Sequence, residues 1–164
     1  MKRYTIAAIC LSILAFAPFA AAGNAHFIGS ATSASVNNAG ALVCSFKEAG
    51  LESGSTETVT CNATGSTTYE CVNGGNKNPS ASNKTTTSSQ LSASGLFTSS
   101  KSGNIVGSLT LSPPTAASLG FSCPSGQTVT FVSVTYSVVS ISDSTSGATF
   151  NISGTFSFTN PNAP

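Results

Sequence analysis

The chain has 164 residues, of which 7% are charged, and a formal net charge of +1. A chain so poor in charge lacks the basic footprint that phosphate backbones require, so nucleic acid is excluded as an expected partner. The length suits one domain with its own core.

The first residues have the pattern of a secretory signal peptide. Lys2 and Arg3 precede an apolar run that ends in the small residues Ala20-Ala21-Ala22. We predict a signal peptide over residues 1–22, cleaved after Ala22 or after Ala25, and a single domain over residues 23–164. The mature protein is then expected to be secreted, either extracellular or periplasmic, with no transmembrane segment after processing.

Beyond the signal peptide, apolar and polar residues alternate with period two, which is typical of half-buried strands. The first two such stretches carry Cys44 and Cys61 on their inward phases, separated by a turn-like EAGLESGS. We predict an antiparallel hairpin in which these two cysteines are directly opposed and form a disulfide. Cys71 would then pair with Cys123, although the four cysteines outside the predicted signal peptide allow three pairings.

Further strands are predicted in chain order from the same alternation. The sequence KSGN at 101–104 and the sequence DSTSG at 143–147 indicate hairpin turns between neighbouring strands. Within residues 128–141 the apolar phase changes at Val132 and returns at Val139, which predicts a bulge or a bend. The predicted strands include residues 66–71, 91–97, 105–111, 128–141 and 150–158.

These features predict an all-β protein of about seven to nine strands. We expect an antiparallel β-sandwich of immunoglobulin-like or Greek-key topology, stapled by disulfides. A small up-and-down β-barrel is the alternative.

Catalytic residue types are scarce, and no catalytic residue is assigned. His26 is the only histidine and lies close to the predicted mature N-terminus, so a catalytic triad is not expected. If cleavage follows Ala25, the free amine and the His26 imidazole could chelate copper. No other metal site and no cofactor is expected, because no calcium loop or standard zinc spacing is present.

The acidic residues are interpreted as solvated surface charges rather than as the paired carboxylates of a glycosidase. This interpretation applies to Glu48, Glu52, Glu57 and Glu70. An enzyme remains an alternative in which Glu57, Glu70 and Tyr136 line a cleft.

The segment CVNGGNKNP at 71–79 combines glycines, asparagines and a lysine. A phosphate-binding loop would continue into a helix, whereas Asn73-Gly74 is a strong turn signal. We interpret the segment as a turn stapled at Cys71 and keep a binding loop as the alternative. The candidate loop residues are Asn73, Gly74, Gly75, Asn76, Lys77 and Asn78.

Several short stretches resemble a group of small exported bacterial β-rich proteins of unknown function. These stretches are HFIGS, SFKEAGL, CVNGGNKNPSASNK, SLTLSPP and CPSGQTV, and the Cys-x-Asn-Gly-Gly loop is the most specific of them. The resemblance implies a bacterial, secreted protein of about one domain and implies no activity or site.

The expected function is therefore that of a secreted, non-catalytic structural or binding module of the bacterial envelope or extracellular space. Its partner is unknown, and a cell-wall component, a glycan and a second copy of the chain are all considered. One alternative is a subunit of an extracellular polymer that pairs through residues 150–158 or through HFIGSATSASV at 26–36. Another is a carbohydrate-binding module that uses Asn and Ser contacts.

Overall fold

A computed structural model describes residues 24–75 and 83–164. The predicted signal peptide lies outside the described residues. The described part contains nine strands and two short 3₁₀ turns: β1 (His26–Phe27), β2 (Ser33–Val36), β3 (Leu42–Ala49), β4 (Thr56–Asn73), β5 (Lys84–Thr98), β6 (Ile105–Leu111), β7 (Gln127–Asp143), β8 (Thr149–Ile152) and β9 (Phe156–Thr159).

The strands form two antiparallel sheets, which confirms the predicted β-sandwich. In sheet A, β3 is central, with β6 on one side and β1 and β2 on the other. In sheet B the order is β5-β4-β7, and β8 and β9 both pair with the far edge of β7. The pairs β3–β6 and β4–β7 join strands that are not consecutive, which excludes the up-and-down alternative.

The inward phases of both sheets supply one core. Leu42 and Phe46 of sheet A and Val59 and Ile141 of sheet B are at most 1% exposed. Tyr136 is also fully buried, and its hydroxyl donates to the carbonyl of Gly40 at 2.7 Å. Burial raises the pKa of this tyrosine to about 12.

Cys44 and Cys61 form a disulfide, as do Cys71 and Cys123. The predicted hairpin between the first two cysteines is nevertheless wrong, because β3 and β4 belong to different sheets. Cys44 and Cys61 face each other across the core instead, so the bond ties the two sheets together. Alternation identified the inward phase correctly but could not tell a strand neighbour from a facing sheet.

The turn at 101–104 does not produce a paired hairpin either, since β5 lies in sheet B and β6 in sheet A. The two strands instead approach at Gly107, where an added Cβ would lie 2.5 Å from the ring of Phe97. The hairpin predicted at 143–147 does form, between β7 and β8.

The predicted irregularity in β7 is present, and it occurs at two positions. The register between β4 and β7 shifts between Thr68 and Tyr69 and again between Asn62 and Thr64. The second shift leaves Val138 79% exposed and Val139 buried. Val138 is therefore exposed, although the alternation before it predicts an inward side chain at this position. The phase returns at Val139, as predicted.

Both segments predicted to pair with a neighbouring chain are interrupted. Residues 150–158 divide into β8 and β9 around Gly154, whose φ is +116°. Residues 26–36 divide into β1 and β2 around a 3₁₀ turn at Gly29–Ala31, and both strands pair with β3.

Candidate functional site

The candidate binding loop is described only in its first half. Asn73 ends β4, and its side-chain oxygen accepts a hydrogen bond from the Gly75 backbone N–H at 3.1 Å. This is the local contact expected of an asparagine in a turn. Asn76, Lys77 and Asn78 lie outside the described residues, so the choice between a turn and a binding loop stays a prediction.

His26 is exposed at the start of β1. Its Nδ1 lies 2.7 Å from the backbone oxygen of Asn24. Among the described residues, no group of three or more His, Cys, Asp and Glu side chains could hold a metal ion. Copper binding by an N-terminal His26 stays a prediction.

The interpretation of the acids as surface charges is wrong for three of the four glutamates. Glu48, Glu57 and Glu70 are 0%, 3% and 5% exposed, and only Glu52 is exposed. Glu70 pairs with Lys84 at 2.5 Å. The proposed cleft is also wrong, because Glu57 and Glu70 lie at opposite ends of β4, about 40 Å apart along the strand.

Glu48 and Glu57 instead meet Asp143 at one end of the sandwich. Glu48 comes from β3, Glu57 from β4 and Asp143, 1% exposed, from β7. We call these three residues the acid cluster. Each side chain has one oxygen with a donor: the Ser146 hydroxyl for Glu48 at 2.8 Å, the Ser55 hydroxyl for Glu57 at 2.5 Å, and the Thr145 backbone N–H for Asp143 at 2.8 Å.

The acid cluster is sealed from solvent. Burial raises the pKa of Glu48 to about 7, and the nearby acids Asp143 and Glu57 add to the rise. Burial also raises the pKa of Glu57, with Asp143 and Glu52 as further causes. Raised carboxyl pKa values are common in active sites, but a substrate cannot reach side chains that are at most 3% exposed.

The outer face of sheet B is an extended polar surface. Because β4 has no bulge, its even-numbered residues from Thr60 to Thr68 all point away from the core. Their cross-strand partners on β5, β7, β8 and β9 carry the same kinds of side chain. We call this set the hydroxyl face; its five rows are Ser94-Thr60-Ser142-Thr149, Ser92-Asn62-Ser140-Asn151, Gln90-Thr64-Ser137, Ser88-Ser66-Thr135-Ser157 and Thr86-Thr68-Ser133-Thr159.

The five rows contain only hydroxyl and amide side chains, and the exposed Val138 lies between the rows of Asn62 and Thr64 as the one apolar interruption among them. The pair Thr58–Leu96 borders it at one end, and the ion pair Glu70–Lys84 borders it at the other. Same-face side chains repeat about every 6.8 Å along a strand and about every 4.8 Å between strands. The face is therefore a neutral array of donors and acceptors about 27 Å long.

Several rows are held by hydrogen bonds between their own side chains. Thr60 and Ser94 are 2.7 Å apart, and Thr68 and Thr86 are 2.9 Å apart. The amide of Gln90 donates to the hydroxyl of Thr64 at 2.9 Å. These contacts fix hydroxyl groups that would otherwise rotate, so part of the array is ordered before any ligand arrives.

An open groove of about 340 Å³ adjoins the hydroxyl face at Asn151. Residues of β2 and β8 line it, together with Phe156 of β9. Thr32 also lines it, with a buried hydroxyl that has no protein partner. The groove has no charged lining residue.

The sequence contains a signal for the hydroxyl face that catalytic and metal-binding motifs do not capture. The outward phase of three predicted strands contains almost only Ser, Thr, Asn and Gln, where surface strands usually also carry Lys and Glu. The strand order, which could not be predicted, brings those phases side by side on one face.

Comparisons with known proteins find no matching family model, no similar curated protein and no similar solved structure. No helix in the two described ranges is long and apolar enough to cross a bilayer. The two disulfides are typical of an oxidising extracellular or periplasmic environment.

Proposed function

We propose that the protein is an exported bacterial module, without catalysis, whose hydroxyl face binds the surface of an uncharged polysaccharide in the envelope or extracellular space. The observation that carries this proposal is the neutral array of hydroxyl and amide groups across sheet B. Hydroxyl and amide groups both donate and accept, which matches the hydroxyls of a neutral sugar polymer.

The extent of the array, about 27 Å along the strands, favours an extended polymer surface over a single sugar in a pocket. Each hydrogen bond exchanged with water contributes little by itself, about 0.5–1.5 kcal/mol. Many contacts on a fixed spacing are therefore needed, and a flat polymer can supply them at once. The absence of charge on the face disfavours polyanions, and it predicts binding that does not weaken with salt.

Binding can be tested with insoluble polysaccharides in a sedimentation assay. The exported protein is expected to sediment with at least one neutral polymer, such as cellulose or chitin, to the same extent at low and high salt. Ser66→Lys places a long charged side chain in the middle of the hydroxyl face and is expected to lower the bound fraction at least tenfold.

Ser45→Lys is the matched control, because Ser45 is an exposed serine of β3 in sheet A. It is expected to bind like the parent. Equal binding by Ser66→Lys and the parent, or no binding to any neutral polymer, would contradict the proposal.

The strand β5 supports a second candidate function, a subunit of an extracellular polymer. β5 is a 15-residue edge strand whose only charge is Lys84, and it contains no proline. Natural edge strands are usually protected by charge, proline or bulges. Pairing of a second chain would therefore run through β5 rather than through β8, β9 or the N-terminal segment.

A further inference from the structure

The acid cluster takes no part in the proposed binding function, and its composition calls for a separate explanation. Its three carboxyl groups come from three strands and from both sheets. Three buried negative charges in one place would repel one another and would each lack solvation.

The hydrogen-bond pattern shows what the cluster lacks. One oxygen of each group has a donor, but Glu48 Oε2, Glu57 Oε2 and Asp143 Oδ2 have no partner. All three of these atoms are buried, and an ionised oxygen without a donor there carries the full cost of desolvation. Asp143 is within hydrogen-bonding reach of both glutamates.

Among the described residues, the elements around the cluster do not offer a compensating positive charge. Lys47 alternates to the opposite side of β3 from Glu48, and Lys101 and His26 are exposed. Glu52, in the turn before β4, adds negative charge near Glu57.

The strands beside the acid cluster contribute apolar side chains to its surroundings. Phe97 of β5 pairs with Glu57, and Ile105 of β6 pairs with Glu48. Protons are therefore the simplest means of satisfying the three oxygens.

We propose that Glu48 and Glu57 are protonated in the folded protein and donate hydrogen bonds to the Asp143 carboxylate, forming a proton-dependent clasp between the two sheets. Each glutamic acid supplies one O–H, and Asp143 Oδ2 accepts both bonds. The three unpartnered oxygens then all have partners, and one negative charge remains instead of three.

The clasp stabilises the fold in acid and weakens in base. The pKa of Glu48 rises from its ordinary 4.5 to about 7 on folding, because burial disfavours the charged form. Between these values the folded protein binds more protons than the unfolded chain. The stability that protonated Glu48 contributes is therefore fully present below about pH 4.5 and is lost as pH rises through about 7.

Urea unfolding of the disulfide-bonded protein at about pH 5 and about pH 8 tests this linkage. The parent is expected to have a clearly higher midpoint at the lower pH. Glu48→Gln keeps a neutral donor of similar shape, and its midpoint is expected to exceed that of the parent at the higher pH. Glu70→Gln, which removes an acid at the opposite end of β4, is the control, and its midpoint is expected to fall from the lower to the higher pH as the parent's does.

A parent midpoint that does not fall with pH would overturn the proposal, as would a Glu48→Gln variant with the same pH dependence as the parent. Carbon-13 NMR of the glutamate carboxyl groups in the parent gives a second readout that needs no variant. Protonated Glu48 and Glu57 are expected at about pH 5, and ionised groups there would overturn the clasp.

Addition of calcium chloride distinguishes a cation site from a proton clasp. The clasp predicts no change in the parent's urea midpoint at about pH 5, where two of the three groups carry protons. A calcium-dependent rise that is absent from Glu48→Gln would identify a cation site and overturn the proposal.

Discussion

Val138 has a backbone conformation that valine rarely adopts. Its φ is +52°, and it lies in the second irregularity of β7, opposite the segment between Asn62 and Thr64. A left-handed conformation costs an L-residue about 1–2 kcal/mol, and branching at Cβ makes valine a poor choice. The side chain is 79% exposed, so it recovers little through packing.

Replacement of Val138 should therefore stabilise the protein. Val138→Asn is expected to raise the free energy of unfolding by about 1 kcal/mol, because asparagine tolerates positive φ. Thermal or urea unfolding measures the gain. Val106→Asn is the matched control: Val106 is 76% exposed in the regular strand β6, where the same change should give no gain. A gain of equal size at both sites would contradict the strain at Val138.

The segment between β6 and β7 is held to the end of sheet B by two attachments on one strand. Tyr69 donates its hydroxyl to the carbonyl of Pro114 at 2.9 Å, and Cys71 bonds to Cys123. Tyr69 and Cys71 are two positions apart on β4, so both point inward. The irregular segment 112–126 thus covers the inner face where sheet A does not extend.

Removal of the Cys71–Cys123 bond should release this segment. The bond closes a span of 52 residues, which the loop-entropy model values at about 4 kcal/mol. Cys71→Ala with Cys123→Ala is expected to lower the free energy of unfolding by about that amount and to expose Tyr69, measured by urea unfolding and tyrosine fluorescence. The control is Tyr69→Phe, which removes only the hydrogen bond and should cost about 1 kcal/mol. An unchanged urea midpoint in the double variant would contradict the assigned role.

At the scale of the whole molecule, the fold removes most negative charge from the surface. Four of the five acids in the sequence are buried, and Glu52 alone is exposed. Hydroxyl and amide groups therefore provide most of the polar surface, and charge repulsion offers little protection against self-association through β5.

Amide hydrogen exchange along β5 tests that association. In an antiparallel edge strand, alternate backbone N–H groups point away from the neighbouring strand. If chains pair through β5, these amides in residues 84–92 are expected to become protected as concentration rises, together with an increase in mass by light scattering. The amides of β4, paired on both sides, serve as the internal reference. Fast exchange and a constant monomer mass at every concentration would contradict the polymer function.

The sequence by itself determined the fold class and the inward phases. Period-two alternation, paired cysteines and frequent turn residues depend on local geometry, so they predicted an all-β sandwich and the irregularity in β7. Leu42, Val59 and Ile141 are far apart in the sequence, but alternation alone assigns each of them to an inward face. All three lie in the core.

The tertiary structure decided which strands are neighbours, and the functional features depend on that choice. Alternation gives a residue its face but not its partner, so Cys44 and Cys61 were assigned to a hairpin although they join two sheets. For the same reason, acids that looked like separate surface charges converge in a buried cluster. Scattered serines and threonines likewise become one hydroxyl face only when β5, β4, β7, β8 and β9 lie side by side, because long-range pairing places them in register.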